Sequence, residues 1–315
     1  MRFKIVILRL LPLLFFLALS LPHHPFSGWL DAEFIIPYGF ETMQFVADIG
    51  SFALGSIVFL VAMILVWRTG KGAVVHIGFW IVVGLMMYAA DRTLIFNNIE
   101  RIHFPQYTIM ALLLGLSLQG ENLIFLVTSF AGFADEFLQF SMDPQKTNYL
   151  DFNDIVLNIL GAGLGVALLI AFRKSAASES SYYEKRFRTL SLVVTSMAAG
   201  LVLLALSVGR IVTVADIATN RSVVTEVHGR LSFILGFERH DQFWIKSDFG
   251  KIVHILPPVE GLLLISLLLV LFLVSFQWLK GLRGPASHSF GAGAGPWGMR
   301  SNDDIIENMV SSERL

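Results

Sequence analysis

The sequence predicts an all-α integral membrane protein, a polytopic bundle of transmembrane helices, and three observations lead to this class. Hydrophobic residues make up 55% of the 315 residues, whereas Asp, Glu, Lys and Arg make up only 15%. Soluble domains carry about 25% charged residues, so the chain lacks the polar surface of a water-soluble protein. The mean hydropathy is +0.68, and several apolar runs approach the roughly 20 residues that a helix needs to cross a bilayer.

Composition also excludes several function classes. The net charge of -1 argues against a nucleic-acid partner. The absence of cysteine excludes disulfides, thiolate metal sites and cysteine nucleophiles. The histidines do not follow a metal-binding spacing, and the sequence contains no phosphate-binding loop and no hydrolase nucleophile elbow. We therefore expect no metal and no cofactor, and the sequence identifies no protein partner.

Six apolar runs predict transmembrane helices because they are too long and too uniformly apolar for strands. They cover residues 4–21, 50–67, 73–90, 154–172, 190–212 and 252–279.

Two weaker runs, at 103–118 and 123–140, bring the expected number of transmembrane segments to about eight. The second run is free of charge only over 123–134, before Asp135 and Glu136. Twelve helical residues cover about 18 Å, which is short of the hydrocarbon core. Either the acidic pair lies inside the membrane against protein, or the two runs form a re-entrant hairpin.

The distribution of basic residues predicts that the amino terminus is cytoplasmic. With that orientation all four basic clusters fall on the cytoplasmic side, and the acidic segment 22–49 lies outside. The clusters are Arg2 and Lys4; Arg68 and Lys71; Arg173, Lys174, Lys185, Arg186 and Arg188; and Lys280 and Arg283. The first run is either a retained anchor or a cleaved signal peptide, and the rest of the topology is the same in both cases.

Four sections follow from this organisation. Residues 1–49 hold the first span and an outer loop, and 50–172 form a helical core. Residues 173–283 add two spans with an outer loop at 213–251, in which 223–235 is strand-like or amphipathic. Residues 284–315 form a cytoplasmic tail that is rich in Gly, Ser and Pro near its start, so we expect it to be flexible.

The first of three polar clusters begins the run at 103–118. His103 and Tyr107 are four residues apart and therefore share one helix face. They form either a hydrogen-bonding or proton-transferring pair at the outer mouth of the bundle, or an interfacial aromatic residue beside a capping histidine.

The second cluster ends the run at 123–140. Glu136 and Gln139 face together, and we expect Asp135 to point elsewhere. Adjacent carboxylates after an apolar run repel each other, so at least one needs a proton or a cationic partner. Arg92 and Arg101 are the cations expected on the same side.

The third cluster opens the run at 154–172. Asp154, Asn158, Gly161 and Gly165 recur at intervals of four, three and four, which places them on one stripe of a helix. The glycines predict a surface where another helix approaches closely. Asp154 can cap the helix, but Asn158, one turn into the span, needs a partner.

Together these clusters resemble the VanZ-like family of bacterial membrane proteins. The family pattern is His-Phe-x-x-Tyr, then Glu-x-x-Gln, then Asp-x-x-x-Asn-x-x-Gly-x-x-x-Gly, and the resemblance covers roughly residues 50–172. Lys146 lies in the loop where the family usually has Arg, and Lys cannot form a forked pair of bonds. The matching residues are His103, Phe104 and Tyr107; Glu136 and Gln139; and Asp154, Asn158, Gly161 and Gly165.

The resemblance implies an envelope protein of the bacterial cytoplasmic (inner) membrane, associated with reduced susceptibility to glycopeptides such as teicoplanin. Our first hypothesis is a protein that binds membrane lipids or lipid-linked envelope molecules in an outer-leaflet pocket. Its expected lining is His103, Tyr107, Asp135, Glu136, Gln139, Lys146, Asp154 and Asn158.

Two alternatives remain open. In the first, the protein is an intramembrane enzyme that acts on a lipid-linked substrate, with Glu136 and His103 as acid–base groups. In the second, it is a transporter or an assembly scaffold, although a transporter more often carries charges near the bilayer midplane.

Overall fold

The computed structural model confirms a mostly helical protein, with 78% of the described residues in helices. It describes residues 2–20, 29, 31–67, 73–142, 149–172, 211–215, 224–227, 229–237, 242–247 and 250–281, with scattered positions from 193 to 210. Seven long helices lie within these ranges. They are α1 (Arg2–Ser20), α2 (Phe40–Trp67), α3 (Ala73–Thr93), α4 (His103–Gly115), α5 (Glu121–Met142), α6 (Phe152–Phe172) and α7 (Pro258–Gly281).

Within the described residues, the five helices α2, α3, α5, α6 and α7 are long and apolar enough to cross a membrane. Helix α4 has only 13 residues, which at 1.5 Å per residue gives about 20 Å, less than the hydrocarbon thickness. Most of the predicted span at 190–212 lies outside the described residues. Its described positions from 193 to 207 are helical.

The predicted ends of two spans are wrong. Helix α2 begins at Phe40 instead of residue 50, so the last part of the expected outer loop is helical; Glu41 in its first turn favours a helix start there. Helix α7 begins at Pro258 instead of residue 252. The reason is the pair Pro257–Pro258: a residue before proline avoids helical angles, and proline suits the first helical position.

The expectation of an all-α fold needs one amendment, because short strands form between residues 211 and 253. Strand β3 (Arg230–Phe237) pairs in parallel with β1 (Ile211–Ala215) and antiparallel with β2 (Val224–Val227). The two-residue strands β4 (Ile245–Lys246) and β5 (Ile252–Val253) form a second ladder. Of the two interpretations left open for 223–235, the strand-like one fits the described residues 224–227 and 230–235, whereas residues 211 and 212 belong to β1 instead of a span.

Helix α6 lies at the centre of the bundle and contacts α4, α5 and α7. A Cβ atom on Gly161 would lie 2.7 Å from the Phe104 carbonyl oxygen, and one on Gly165 would lie 2.6 Å from the Thr108 carbonyl oxygen. Only glycine allows α4 to run this close to α6. Phe272 of α7 fills the space beside Gly163 and packs on the Phe125 ring at 5.2 Å between centroids.

Hydrogen bonds tie several helix ends together at one end of the bundle. Asn98, just before α4, bonds through its backbone N–H to Gln44 and through its amide to Asp48, both near the start of α2. The Asn153 amide donates to the carbonyl oxygens of Leu94 and His254, at 2.8 and 2.9 Å, and its oxygen accepts the backbone N–H of Leu256. The carboxyl end of α3, the amino end of α6 and the segment before α7 therefore lie together at this end of the bundle.

Candidate functional site

The candidate site is a buried polar cluster where the first turns of α4 and α6 meet the last turns of α5. A turn of 3₁₀ helix (Asn98–Ile102) leads into α4, and it starts with a capping box in which Asn97 and Glu100 bond to each other's backbone. This turn positions His103 as the first residue of α4. The site therefore depends on local capping as well as on the glycine contact between α4 and α6.

Asn158 joins the three helices. Its side-chain amide donates to Glu136 Oε1 at 3.2 Å and to the Gly132 carbonyl oxygen at 3.3 Å. Its Oδ1 atom lies 2.8 Å from His103 Nδ1. Asn158 is fully buried, so the partner that the sequence requires for it is supplied by α4 and α5.

His103 lies between two carboxylates. Its Nε2 atom is 3.4 Å from Asp154 Oδ2, and its Nδ1 atom is 3.9 Å from Glu136 Oε1. The side chains of His103 and Glu136 are 8% and 3% exposed, while Asp154 is 17% exposed. The three clusters thus contact one another, and Asp154 is the member nearest to solvent.

Asp135 is buried in the same region, contrary to the expectation that it points elsewhere. The Tyr107 hydroxyl donates to Asp135 Oδ2 at 2.9 Å, so both Asp135 and Glu136 face α4 or α6. Three buried polar atoms here have no hydrogen-bond partner among the described residues: Asp135 Oδ1, Asp154 Oδ1 and Gln139 Nε2. Gln139 is therefore near the protein interior, but none of the described bonds joins its amide nitrogen to the cluster.

The expected cationic partners of the acidic pair are engaged elsewhere. Arg101 forms ion pairs with Asp91 and Asp48, and the Arg92 guanidinium lies over the Tyr88 ring. Lys146 lies outside the described residues. Within the part of the chain that the structure describes, His103 is the basic side chain that contacts Glu136 and Asp154.

A cavity of about 340 Å³ opens at the same end of the bundle. Burial raises the pKa of Glu100 at its wall to about 9, and the nearby charges of Asp154 and Asp151 add to this. Burial, together with Asp154, also raises the pKa of Asp151 to about 7. The cavity is lined by Leu94, Phe96, Glu100, Tyr149, Asp151, Asn153, Ile245, Lys246 and Ile255.

The residues that line this cavity are not predicted as site residues by the sequence. For Glu100 a signal exists, because Asn97-x-x-Glu100 is the spacing of a capping box. For Asn153 and Lys246 there is none, since their surroundings come from segments about 100 residues away in the chain.

The cluster contains a set of possible metal ligands that histidine spacing does not reveal. His103, Glu136 and Asp154 each offer one ligand atom, and these atoms lie within 4.8 Å of one another. Imidazole and carboxylate groups in this number suit a divalent transition metal.

Fold and site define the class: a helical membrane protein with a buried polar cluster near one end of its bundle. No protein-family model matches the chain. No curated protein matches it, and no solved structure does. The VanZ-like resemblance therefore stays a prediction that depends on the residues of the three clusters.

Proposed function

We propose that this chain is a VanZ-like protein of the bacterial cytoplasmic membrane that binds a lipid or glycolipid of the envelope, and so affects glycopeptide susceptibility. In this proposal the chain has about eight transmembrane segments and a cytoplasmic amino terminus, and the polar cluster opens toward the outer leaflet. One observation carries the proposal: the ligand atoms of His103, Glu136 and Asp154, from three different helices, lie within 4.8 Å of one another inside the bundle. Ionisable groups at such depth are expensive and therefore usually functional.

The contacts add to the resemblance because they are independent of it. The family pattern concerns spacing within each cluster, whereas the bonds from Asn158 to His103 and Glu136 join different clusters. Gly161 and Gly165 complete the pattern and allow the close approach of α4. His103, Glu136, Asp154 and Asn158 of the pattern thus contact one another, as residues around a single ligand would.

The cavity supplies the space for a headgroup. A volume of about 340 Å³ lies at the lower end of the range for small-molecule sites, so it holds part of a headgroup while the acyl chains stay in the bilayer. Lys246 at the cavity wall offers an ammonium group to an anionic headgroup. Tyr149 and Phe96 offer aromatic surface to a sugar, or to the part of the headgroup that lies next to an isoprenoid chain.

The shared end of the bundle supports the proposed sidedness. The bonds of Asn98 and Asn153 bring together the start of α2, the end of α3 and the start of α6. The basic-residue distribution assigns all of these ends to the outside. A single orientation therefore satisfies both the charge rule and the contacts.

An intramembrane enzyme is the second candidate, and the distance between His103 Nδ1 and Glu136 Oε1 favours it. At 3.9 Å the two groups are close enough for both to contact one substrate, as an acid–base pair must. The same side chains would then act on the lipid-linked molecule that the first candidate only binds.

The test is native mass spectrometry of the full-length protein, purified in a mild detergent from a bacterial host. We expect a co-purified envelope lipid on the wild type and a large loss of its occupancy in Glu136→Gln. Glu226→Gln removes the same charge from an exposed position on β2 and should retain the lipid. Equal occupancy in both variants, with unchanged elution on size exclusion, would contradict the proposal, whereas conversion of the bound lipid would favour the enzyme.

A further inference from the structure

We propose that His103, Glu136 and Asp154 bind one divalent transition cation, of the Zn²⁺ or Mn²⁺ class. This site does not depend on the proposed lipid ligand, because its ligands all belong to the chain. The three residues come from α4, α5 and α6, so a bound cation would also join the three helices at the centre of the bundle.

The orientation of Asn158 determines which nitrogen of His103 can bind a metal. The Asn158 amide nitrogen faces two acceptors, Glu136 Oε1 and the Gly132 carbonyl oxygen. Its oxygen therefore faces His103 Nδ1, which must carry the proton to donate across the 2.8 Å separation. In the neutral imidazole, Nε2 then carries a lone pair. A histidine that binds a metal typically donates its other N–H in this way.

In this neutral form the lone pair of Nε2 faces a carboxylate oxygen, which is unfavourable unless a cation lies between the two atoms. Asp154 Oδ2 is 3.4 Å from His103 Nε2, which is long for a charge-assisted N–H···O bond of about 2.7–2.9 Å. Two ligands at about 2.0–2.1 Å from a tetrahedral metal are about 3.3–3.4 Å apart. The separation therefore fits a shared cation better than a shared proton.

Glu136 completes the set with modest movement. The ligand atoms lie within 4.8 Å of one another, so no pair in this set has to close by more than about 1.5 Å to reach tetrahedral spacing. A glutamate side chain has enough rotatable bonds for this closure.

Two carboxylate oxygens in this part of the bundle lack a compensating partner among the residues that the structure describes. Asp154 Oδ1 and Asp135 Oδ1 are buried without a hydrogen-bond donor among the described residues, and Asp135 is only 4% exposed. Unpaired buried carboxylate oxygens are costly, and a divalent cation would compensate them. This second observation points to a cation independently of the distances around His103.

The donor set selects the class of cation. Mg²⁺ and Ca²⁺ prefer oxygen ligands alone, whereas imidazole with carboxylates suits Zn²⁺, Mn²⁺ or Fe²⁺. Cysteine is absent from the chain, so a thiolate site cannot compete for the metal.

The test is metal analysis of the full-length protein, purified with a tag that contains no histidine, stripped with EDTA and then incubated with Zn²⁺ or Mn²⁺ alone. We expect one metal ion per chain and a higher midpoint of thermal unfolding with metal. Asp154→Asn and His103→Gln should lose both the bound ion and the thermal shift.

Two matched variants control for binding elsewhere. Asp151→Asn removes the same charge three residues away and keeps an oxygen that can accept the backbone N–H groups of Asn153 and Asp154. His254→Gln removes a histidine that pairs with Glu260 instead. Both should keep the ion. The proposal is wrong if the stripped wild type binds no ion, or if Asp154→Asn binds as much as Asp151→Asn; in the first case His103 would simply be a protonated partner of Asp154.

Discussion

Helices α2 and α6 are equally apolar, but α2 is mostly exposed on the outside of the protein whereas α6 is mostly buried inside it. The candidate spans Phe40–Ile64 in α2 and Phe152–Ala171 in α6 have the same mean hydropathy of 2.1. Yet only 6% of the α2 window is buried inside the protein, compared with 89% of the α6 window. Hydropathy therefore predicts that a helix crosses a membrane, but it does not tell whether the helix faces lipid or protein.

What distinguishes α6 is the placement of its few small and polar residues. Gly161 and Gly165 lie directly against α4, whereas a Cβ atom on Gly55 of α2 would have no atom within 4 Å. Asn158 is fully buried and bonded to both neighbouring helices. A glycine stripe that includes a polar residue indicates a buried helix, and an isolated glycine does not.

The largest expected effect separates these two kinds of glycine. In Gly165→Ala the new methyl group would lie 2.6 Å from the Thr108 carbonyl oxygen and 2.7 Å from the Ala111 Cβ atom. Because the first of these is backbone, α4 would have to move, at a cost of about 1–3 kcal/mol for overpacking. We expect a clear fall in the midpoint of thermal unfolding, measured in detergent.

Gly55→Ala is the matched control, because its methyl group enters open space. Alanine favours a helix over glycine by about 0.5–1 kcal/mol, so this variant should be as stable as the wild type or slightly more so. If Gly165→Ala is also tolerated, α4 does not pack on α6 as described.

A smaller effect concerns pH. The pKa of Glu100 is raised from 4.5 to about 9 in the folded protein, mainly by burial. Below pH 4.5 both folded and unfolded states hold this proton, and between pH 4.5 and 9 only the folded state does. Stability from this group is therefore fully present at low pH and is lost as pH rises to about 9. Thermal unfolding measured from pH 7 to 9 should show a falling midpoint.

Glu100→Gln should flatten this slope, because glutamine has no proton to release. The window from pH 7 to 9 lies above the pKa of about 7 for Asp151, so Asp151 contributes little to it. Glu41→Gln, in the exposed first turn of α2, should leave the slope as in the wild type. A slope that persists in Glu100→Gln would assign the pH dependence to another group.

Much of the fold follows from the sequence because it depends on local patterns. Apolar length predicts α3 and α6 closely, since the run at 73–90 lies in Ala73–Thr93 and the run at 154–172 lies in Phe152–Phe172. Helical spacing predicts the shared face of His103 and Tyr107. The position of Asn158, one turn into the predicted span, predicts that its amide needs a hydrogen-bond partner. His103 and Glu136 are those partners.

The remainder depends on contacts between distant segments. Helical spacing turns Asp135 away from Glu136, but Tyr107, 28 residues earlier, bonds it inside the protein. Arg101 looks like a partner for the acidic pair, but Asp48 and Asp91 are nearer in the fold. The bond of Asn153 to His254 spans 101 residues. No local pattern could predict such partners.

The central claim is that the polar end of the bundle faces outward from the cytoplasmic membrane. It can be tested with single cysteines, because the chain has none of its own. We expect Gln145→Cys, in the segment after α5, to react in intact cells with a thiol reagent that cannot cross the membrane. Lys71→Cys, between α2 and α3, should react only after permeabilisation. The reverse pattern would contradict the account, because the cluster of His103, Glu136 and Asp154 would then face the cytoplasm.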